Sequence, residues 1–304
     1  MNTKLTHNRA IFLMVAVTFM WSTAGVVTRH LEFARSFEVT FWRAFFTVLS
    51  LLVILPFVRG RDVFRKIRHA GLFFWLSGLC WSVMFTAFMV ALTLTSVGNV
   101  LVTMSVGPLL TALIARVFIG HRVPPRTWVA IVVAGAGIVY MYASQLGSVS
   151  LLGTLVALCV PIAGATNWTV TQHSHDQGHD VDLMPAVWVG AVICCIVTLP
   201  LSFPFQANAH DVALLGFLGV VQLAVPCVLS VRCAQILKAP EISLLQLLEV
   251  IFGILLAWLG ANEVPASPVL WGGALVIGAL VVNEVIGWRP VSYTHLRAHE
   301  TRHD

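Results

Sequence analysis

The sequence predicts an all-α integral membrane protein with ten transmembrane helices, built as two inverted five-helix repeats. Of its 304 residues, 58% are hydrophobic and only 10% are charged, whereas soluble domains carry about 25% charged residues. Ten apolar stretches each approach the roughly 20 residues that cross a bilayer as a helix, and the end of the first half recurs in the second. No soluble core accommodates this composition, so we expect the chain to lie in a lipid bilayer.

The ten stretches follow one another with short connections, which leave no room for a soluble domain. They are residues 10–28, 39–58, 70–92, 97–118, 126–143, 149–170, 183–203, 211–232, 241–260 and 268–287. We expect the first repeat to cover residues 10–143 and the second to cover residues 149–287. Five spans in each half place the second copy upside down relative to the first, an arrangement found in many secondary transporters.

The two halves also align residue by residue where spans four and nine end. The aligned pairs are Gly107-Pro108 with Glu249-Val250 and Gly120-His121 with Asn262-Glu263, at a shift of 142 residues, and Trp128 with Trp271, at a shift of 143. A register held over this length exceeds what a shared apolar composition explains. The sequence therefore predicts an internal duplication.

Lysine and arginine residues orient the chain, because cytoplasmic loops of membrane proteins are enriched in both. They gather before the first span, in the segments 59–68, 116–126 and 232–238, and after the last span, whereas Arg29 and Arg35 lie on the other side. We therefore expect a bacterial inner-membrane protein with both termini in the cytoplasm. The formal charge of +5 predicts no nucleic-acid partner, because the basic residues form no patch on a polar domain.

Motifs at the ends of several spans carry a family resemblance. An aromatic and small-residue stretch, Phe19–Gly25, lies at the end of span one, and Arg43 follows two aromatic residues early in span two. The ends of spans four and nine, residues 107–124 and 248–265, form a matching pair. Together these motifs resemble the drug/metabolite transporter superfamily, in its EamA-type ten-helix branch, over roughly residues 10–287.

The resemblance has one visible departure, at the end of span four. The family commonly has a Gly-Glu pair there, and this chain has Gly120-His121, whereas the second copy keeps its acid as Glu263. If the acid only caps a helix at the bilayer surface, His121 replaces it at little cost. If the acid joins a charge network, that network is altered here.

The resemblance implies export of small metabolites, commonly amino acids or related compounds, without ATP. The expected mechanism is alternating access, in which the two halves rock about a shared central site, with or without proton coupling. Two alternatives stay open, an uncoupled facilitator and a non-transporting membrane scaffold or receptor. No enzyme and no cofactor are predicted, because the sequence lacks the H-E-x-x-H, G-x-S-x-G and phosphate-loop motifs and has no paired aspartates within spans.

Two charged residues inside spans are the first candidate site residues, since charges in a bilayer core are costly unless they face protein or water. Arg43 lies early in span two and could bind a substrate carboxylate through a two-bond fork, or it could pair with Glu38 or reach the lipid headgroups. Glu249 lies near the middle of span nine. It could exchange a proton or bind a substrate ammonium, or it could join helices through a hydrogen bond to a backbone carbonyl or to Gln246.

Asn99 is a further candidate because of its place in the repeat. It aligns with Glu241, and both follow a helix breaker, Gly98 or Pro240, near the entrances of spans four and nine. Irregular helix starts of this kind occur at sites between transporter repeats. Glu241 is interpreted as an N-terminal charge favoured by the helix dipole, whereas the role of Asn99 is left open.

The remaining candidates are one amide and three tryptophans within spans. Gln222 in span eight is either a polar site residue or an interhelical hydrogen-bonding group. Trp21, Trp42 and Trp168 could line an apolar cavity and stack on a flat substrate, or they could anchor the chain at the headgroups. In the family's arrangement, spans one, two and six would form the cavity wall.

Other features of the chain are assigned no site. The loop 173–182 contains histidines and aspartates, but their spacing matches no standard zinc pattern, so no metal is predicted. Residues 291–304 form a polar tail that looks non-native and is left out of the functional argument. Small residues at 134–137 and 272–273 permit close helix contact, either within one bundle or in a homodimer.

Overall fold

All regular secondary structure in the described part of the protein is helical. The computed structural model describes residues 6–67, 70–120, 124–143, 150–176, 183–233, 236–237 and 239–288, and no strand occurs in these ranges. The helices are α1 His7–Thr28, α2 Ser36–Arg59, α3 Val63–Ile67, α4 Leu72–Leu94, α5 Val97–Met104, α6 Gly107–Ile119, α7 Pro125–Ala143, α8 Leu151–Asp176, α9 Met184–Thr198, α10 Ala209–Phe217, α11 Val225–Cys233, α12 Ala239–Ala261 and α13 Ser267–Trp288.

Seven helical segments in the described ranges are long and apolar enough to cross a membrane. They are His7–Thr28, Phe37–Arg59, Leu72–Leu94, Val97–Phe118, Leu151–Val170, Met184–Leu201 and Ala209–Cys233. Helices α7, α12 and α13 cover the three remaining predicted stretches. The chain is therefore a multi-pass membrane protein, and the count of ten spans stays a prediction.

The fourth predicted span consists of two helices, because α5 ends at Met104 and α6 begins at Gly107. Pro108 has no N–H to donate to the carbonyl of Met104 and disfavours helical geometry in the residue before it. The aligned position in α12 holds Glu249-Val250, which carry both backbone donors, and α12 continues unbroken. The duplicated helices thus differ at the point where the second copy carries its acid.

Span eight contains a π-helical segment, Leu218–Ala224, between α10 and α11. Gly219 in this segment packs directly on the backbone of α2, since a methyl group added there would lie 2.7 Å from the carbonyl oxygen of Arg43. The hydroxyl of Thr47 donates to the carbonyl of Gly219 over 3.0 Å. This contact fixes the helical turn that carries Arg43 against the π-helical segment. π-Helical turns occur frequently at functional sites.

Helices of the first half pack against helices of the second half throughout the described core. α1 packs against α12, α4 and α2 pack against α9, and α7 packs against α13. The largest apolar cluster combines Leu92 and Val100 with Leu218 and Leu280, all of them fully buried or nearly so. In lipid, such contacts stabilise the bundle mainly through close van der Waals packing.

The predicted small-residue contact occurs between α7 and α13 within one chain. A methyl group added at Gly137 would lie 2.9 Å from the carbonyl oxygen of Gly272, so these two glycines let the helix backbones meet. Gly135 and Gly278 have open space around them. Packing inside the bundle therefore accounts for Gly137 and Gly272.

The aligned residues Gly120 and Asn262 have the same backbone conformation. Their φ angles are +73° and +53°, and Asn262 is the only non-glycine residue with positive φ in the described ranges. Glycine adopts this left-handed conformation freely and asparagine tolerates it, which is why both residues end helices. Each therefore turns the chain toward the Val-Pro sequence that begins the last span of its half.

Gly190 tests the close crossing of α4 and α9. A methyl group added there would overlap the Cβ atom of Trp81 and lie 2.9 Å from the carbonyl oxygen of Gly78. We expect Gly190→Ala to lower the free energy of unfolding by about 1–3 kcal/mol, as overpacked cores do. The measurement is the midpoint of thermal unfolding of the purified protein in detergent.

The matched control is Gly278→Ala on α13, which adds the same methyl group where the space is open. Alanine favours a helix over glycine by about 1 kcal/mol, so this variant should unfold at the wild-type temperature or above. Equal unfolding temperatures for the two variants would contradict the close crossing at Gly190.

Candidate functional site

Arg43 on α2 is a buried cation near the centre of the contact between the two halves. Its residue surface is 3% exposed, and its guanidinium lies 5.6 Å from the centre of the Phe88 ring on α4. Its hydrogen bonds to described residues both end on one atom, Oε1 of Gln222, which accepts from Nε at 3.0 Å and from Nη2 at 2.8 Å. A neutral amide from the other half is therefore its direct partner.

Gln222 joins three spans through its single amide group. It lies in the π-helical segment and is 2% exposed. Its Oε1 atom accepts the two bonds from Arg43, and its Nε2 atom donates to the carbonyl oxygen of Trp21 on α1 at 3.1 Å. The structure thus places Gln222, Arg43 and Trp21 together, as three of the eight predicted site residues.

Glu249 approaches this group from α12 and interacts electrostatically with Arg43. The two side chains form no direct ion pair, and within the described ranges the carboxyl group forms no hydrogen bond to Gln246. Glu249 is half-buried. We call Trp21, Arg43, Phe88, Gln222 and Glu249 the Arg43 cluster; it contains one cation and one carboxyl group from opposite halves.

Glu38 is engaged elsewhere and is not the partner of Arg43. Its carboxylate accepts hydrogen bonds from the backbone N–H of Gln206, at 3.0 Å to each oxygen, and from that of Ala207 at 2.8 Å. It therefore caps the connection before α10. The alternative pairing of Arg43 with Glu38 is absent from the structure.

The Trp42 ring packs among other aromatic rings, and it takes no part in the hydrogen bonds between Arg43 and Gln222. Its ring stacks on Phe46 and meets Phe41, Phe45 and Phe205 edge-on or tilted. The indole Nε1 atom is buried and has no hydrogen-bond partner in the described part of the chain. Trp42 therefore belongs to an aromatic cluster between α2 and the segment before α10.

Three predicted residues lie apart from the Arg43 cluster. Within the described ranges, no hydrogen bond or ring contact joins Trp168 or Gln246 to Arg43, and both are half-buried. Asn99 is fully buried on α5, where its Nδ2 atom donates to the hydroxyls of Thr95 at 3.1 Å and Thr154 at 2.8 Å. Asn99 thus connects α5 with α8, and the structure does not bring it to Arg43.

A second group of charges crosses between the halves at one end of the bundle. Arg29 donates to Glu263 at 2.6 Å and to the carbonyl oxygens of Leu92 and Thr95 at 2.7 and 2.8 Å. The other oxygen of Glu263 accepts from the backbone N–H of Val97 at 2.7 Å. Glu263 therefore both pairs with Arg29 and caps α5, so the charge-network interpretation of this family acid fits the second copy.

Asp211 adds a further connection at the same end. It is fully buried and accepts 2.9 Å hydrogen bonds from the backbone N–H groups of Glu32, Phe33 and Ala34. These bonds tie the α1–α2 connection to the start of α10. We call this end the Arg29 face; it contains residues 29–38, 92–97, 203–211 and 261–266.

Four charged residues with partners in the opposite half were not predicted as site residues from the sequence: Arg29, Glu38, Asp211 and Glu263. Each lies at a span end, where a charge is interpreted by default as a residue exposed at the membrane surface. Only the position of Glu263 in the family motif signalled a role, and its partners come from segments far away in the sequence. These contacts required the tertiary structure.

A cavity of about 250 Å³ lies at the Arg29 face, between α5, α8, α12 and α13. Its polar lining includes Thr95, Ser96, Ser150 and Glu263. Neither Arg43 nor Glu249 lines it. The cavity and the Arg43 cluster are therefore lined by different residues.

Several sequence-based interpretations fall outside the described residues. His121, residues 177–182 of the 173–182 loop and the 291–304 tail are not described, and the side chain of Glu241 is not described either. Among the described residues, no three side chains of His, Cys, Asp or Glu come together as a metal site.

The fold and the Arg43 cluster define a helical, multi-pass membrane protein with buried charges between two halves. The model of the EamA-like transporter family matches this chain twice, over residues 8–143 and 151–284. The chain belongs to the EamA-like transporter family, in the drug/metabolite transporter superfamily, and is thus a membrane transporter of small molecules.

Comparison with solved structures adds the fold alone. One structure, described only as the crystal structure of a protein, matches with a TM-score of 0.63 and 15% sequence identity, over 94% of this chain and 100% of its own. No curated protein matches the sequence.

A double-mutant cycle tests the pairing of Arg29 with Glu263. We expect Arg29→Gln and Glu263→Gln each to lower the unfolding midpoint in detergent, because each leaves polar partners unpaired. The double variant should lose less than the sum, with a coupling of about 0.5–3 kcal/mol. Combining Arg29→Gln with Asp62→Asn, an exposed loop change, should be additive; equal additivity for both pairs would contradict the pairing.

Proposed function

We propose that this protein is a secondary transporter that moves small metabolites, amino acids or related compounds, by alternating access to the Arg43 cluster. The observation that carries the proposal is a buried guanidinium that meets a neutral amide while a carboxyl group from the opposite half lies nearby. An amino acid carries the complementary pair of charges. Its carboxylate would bind Arg43 and its ammonium would bind Glu249.

The proposed architecture has ten spans in two inverted repeats, residues 10–143 and 149–287, in a bacterial inner membrane. Helices at each predicted stretch and two matches to the family model support it. The distribution of Lys and Arg supports cytoplasmic termini, which assigns the Arg29 face to the non-cytoplasmic side. Export is the proposed direction, on family membership.

Alternating access requires contacts between the halves that break in one state and form in the other. The Arg29 face provides such contacts, since Arg29, Asp211 and Glu38 each bond to a residue of the other half. We infer a conformation closed at this face. Opening would separate the Arg29–Glu263 pair and expose the cluster to the other side of the membrane.

Glu249 is proposed as the group that exchanges a proton or binds the substrate ammonium. Its location opposite Arg43, on the unbroken partner of the interrupted α5–α6 span, supports this role. Broken helices at repeat interfaces form binding sites in several transporter folds. An uncoupled facilitator would use the same cluster without titration of Glu249.

Counterflow and pH-gradient-driven uptake in proteoliposomes test the proposal, with a labelled panel of amino acids and related metabolites. We expect wild type to accumulate at least one solute, and Glu249→Gln to equilibrate it without accumulation because the coupling group is lost. Arg43→Lys keeps the charge but not the two-bond fork, so it should lower transport by about tenfold or more.

The control is Asp62→Asn, which removes a carboxylate from an exposed loop and should transport as wild type does. Equilibration without accumulation by both wild type and Glu249→Gln would favour the uncoupled facilitator, whereas equal accumulation by both would show that coupling does not use Glu249. Wild-type flux at the level of empty liposomes across the panel would contradict the proposed substrates.

A further inference from the structure

We propose that Gln222 occupies the place of a substrate carboxylate on Arg43, and that a bound carboxylate displaces it. This inference rests on the proposed function and deepens it, because it names the chemical group that the site selects and the residue with which that group competes. The site is the buried edge of the Arg43 guanidinium.

The charge of Arg43 is buried without a directly hydrogen-bonded anion among the described residues. A cation removed from water costs several kcal/mol unless it is paired and hydrogen-bonded. Arg43 is 3% exposed, yet its hydrogen bonds to described residues go to one neutral oxygen. Glu249 acts on it without direct contact. The guanidinium is therefore incompletely neutralised, which is the condition of an anion site awaiting its ligand.

The donor geometry of the Arg43 guanidinium matches a carboxylate better than a single amide oxygen. A guanidinium presents paired N–H donors that match the two oxygens of a carboxylate. Gln222 directs one oxygen at two donors, Nε and Nη2, over 3.0 and 2.8 Å. A substrate carboxylate could take the same two donors with one oxygen each, forming a two-bond pair between two charged groups in place of a contact with one neutral amide oxygen.

Displacement of Gln222 from Arg43 would also change how α2 is held against the π-helical segment. Its amide also bonds to the carbonyl of Trp21, and it lies in the π-helical segment held against α2 through Gly219 and Thr47. Loss of the Arg43 bonds would remove one link between α2 and the π-helical segment. Ligand binding would thereby weaken a contact between the halves, which couples recognition to the proposed rocking motion.

The experiment uses the full-length protein in detergent and measures both unfolding temperature and ligand binding. The probes are the common L-amino acids and the carboxamide of each, which has the same shape without the carboxylate charge. Wild type should bind at least one amino acid about tenfold or more tightly than its carboxamide, because the carboxamide lacks the negative charge that pairs with Arg43.

Gln222→Glu and Gln222→Met are expected to act in opposite directions. The glutamate places a permanent carboxylate on Arg43, so amino-acid binding should weaken by about tenfold or more. The unfolding temperature without ligand should rise above wild type, because pairing a buried cation outweighs the lost bond from the Gln222 amide to the Trp21 carbonyl. The methionine removes the competing amide, so binding should equal or exceed that of wild type while the unfolding temperature falls. Asn8→Asp adds the same charge at an exposed position outside both the Arg43 cluster and the Arg29 face and should leave binding unchanged.

Two results would overturn the inference. Equal binding by Gln222→Glu and wild type would show that the amide does not compete with the ligand. Equal loss of binding in both Gln222 variants would make Gln222 a positioning residue instead.

If no probe binds wild type, the proposed amino-acid substrates are wrong, and the ligand-free unfolding temperatures decide the inference separately. Gln222→Glu above wild type would then support a site for a carboxylate of another compound. Gln222→Glu below wild type would show that Glu249 already neutralises Arg43.

Discussion

The buried Arg43 guanidinium is the constraint on which the described structure of this transporter depends. A charge in a low-dielectric interior must be surrounded by dipoles and opposite charge, and here these come from four different helices. Gln222 and Glu249 approach from the second half, whereas Phe88 and the carbonyl of Trp21 belong to the first. The two halves are therefore held in one relative arrangement by polar groups that lipid could not replace.

One interruption of the helices carries the direct partner of Arg43, and another lies at the position aligned with Glu249. The π-helical segment carries Gln222, and Gly219 within it allows the backbones of α2 and span eight to meet. The Gly107-Pro108 break divides span four at the position aligned with Glu249. One copy of the duplicated helix thus lacks a backbone donor at this point, and the other carries a titratable side chain. Divergence between the copies would make a symmetric bundle chemically asymmetric at its centre.

The Arg29 face is organised by a different rule. There, carboxylates satisfy backbone N–H groups at helix starts and in the connections, as Asp211 does for three consecutive residues. Each carboxylate belongs to one half and accepts hydrogen bonds from the other half, so these bonds hold the two halves together at this end. Glu263 combines both functions by capping α5 and pairing with Arg29. In the proposed opening of this face, water would replace the protein as the partner of these groups.

Composition and the lengths of the apolar stretches alone determined the class of this protein, since the bilayer sets the length of a span and each helix satisfies its own backbone. The duplication and the family motifs were likewise legible in the sequence, as were Arg43, Gln222, Trp21 and Glu249 as exceptional residues. Only the tertiary structure decided which of these residues contact one another. Gln222 binds Arg43 although it lies 179 positions away in the sequence. Asn99 is equally polar, but it hydrogen-bonds to Thr154 instead. The physical reason is that burying a polar group demands a partner without specifying which one, and the partner is chosen by how the helices cross.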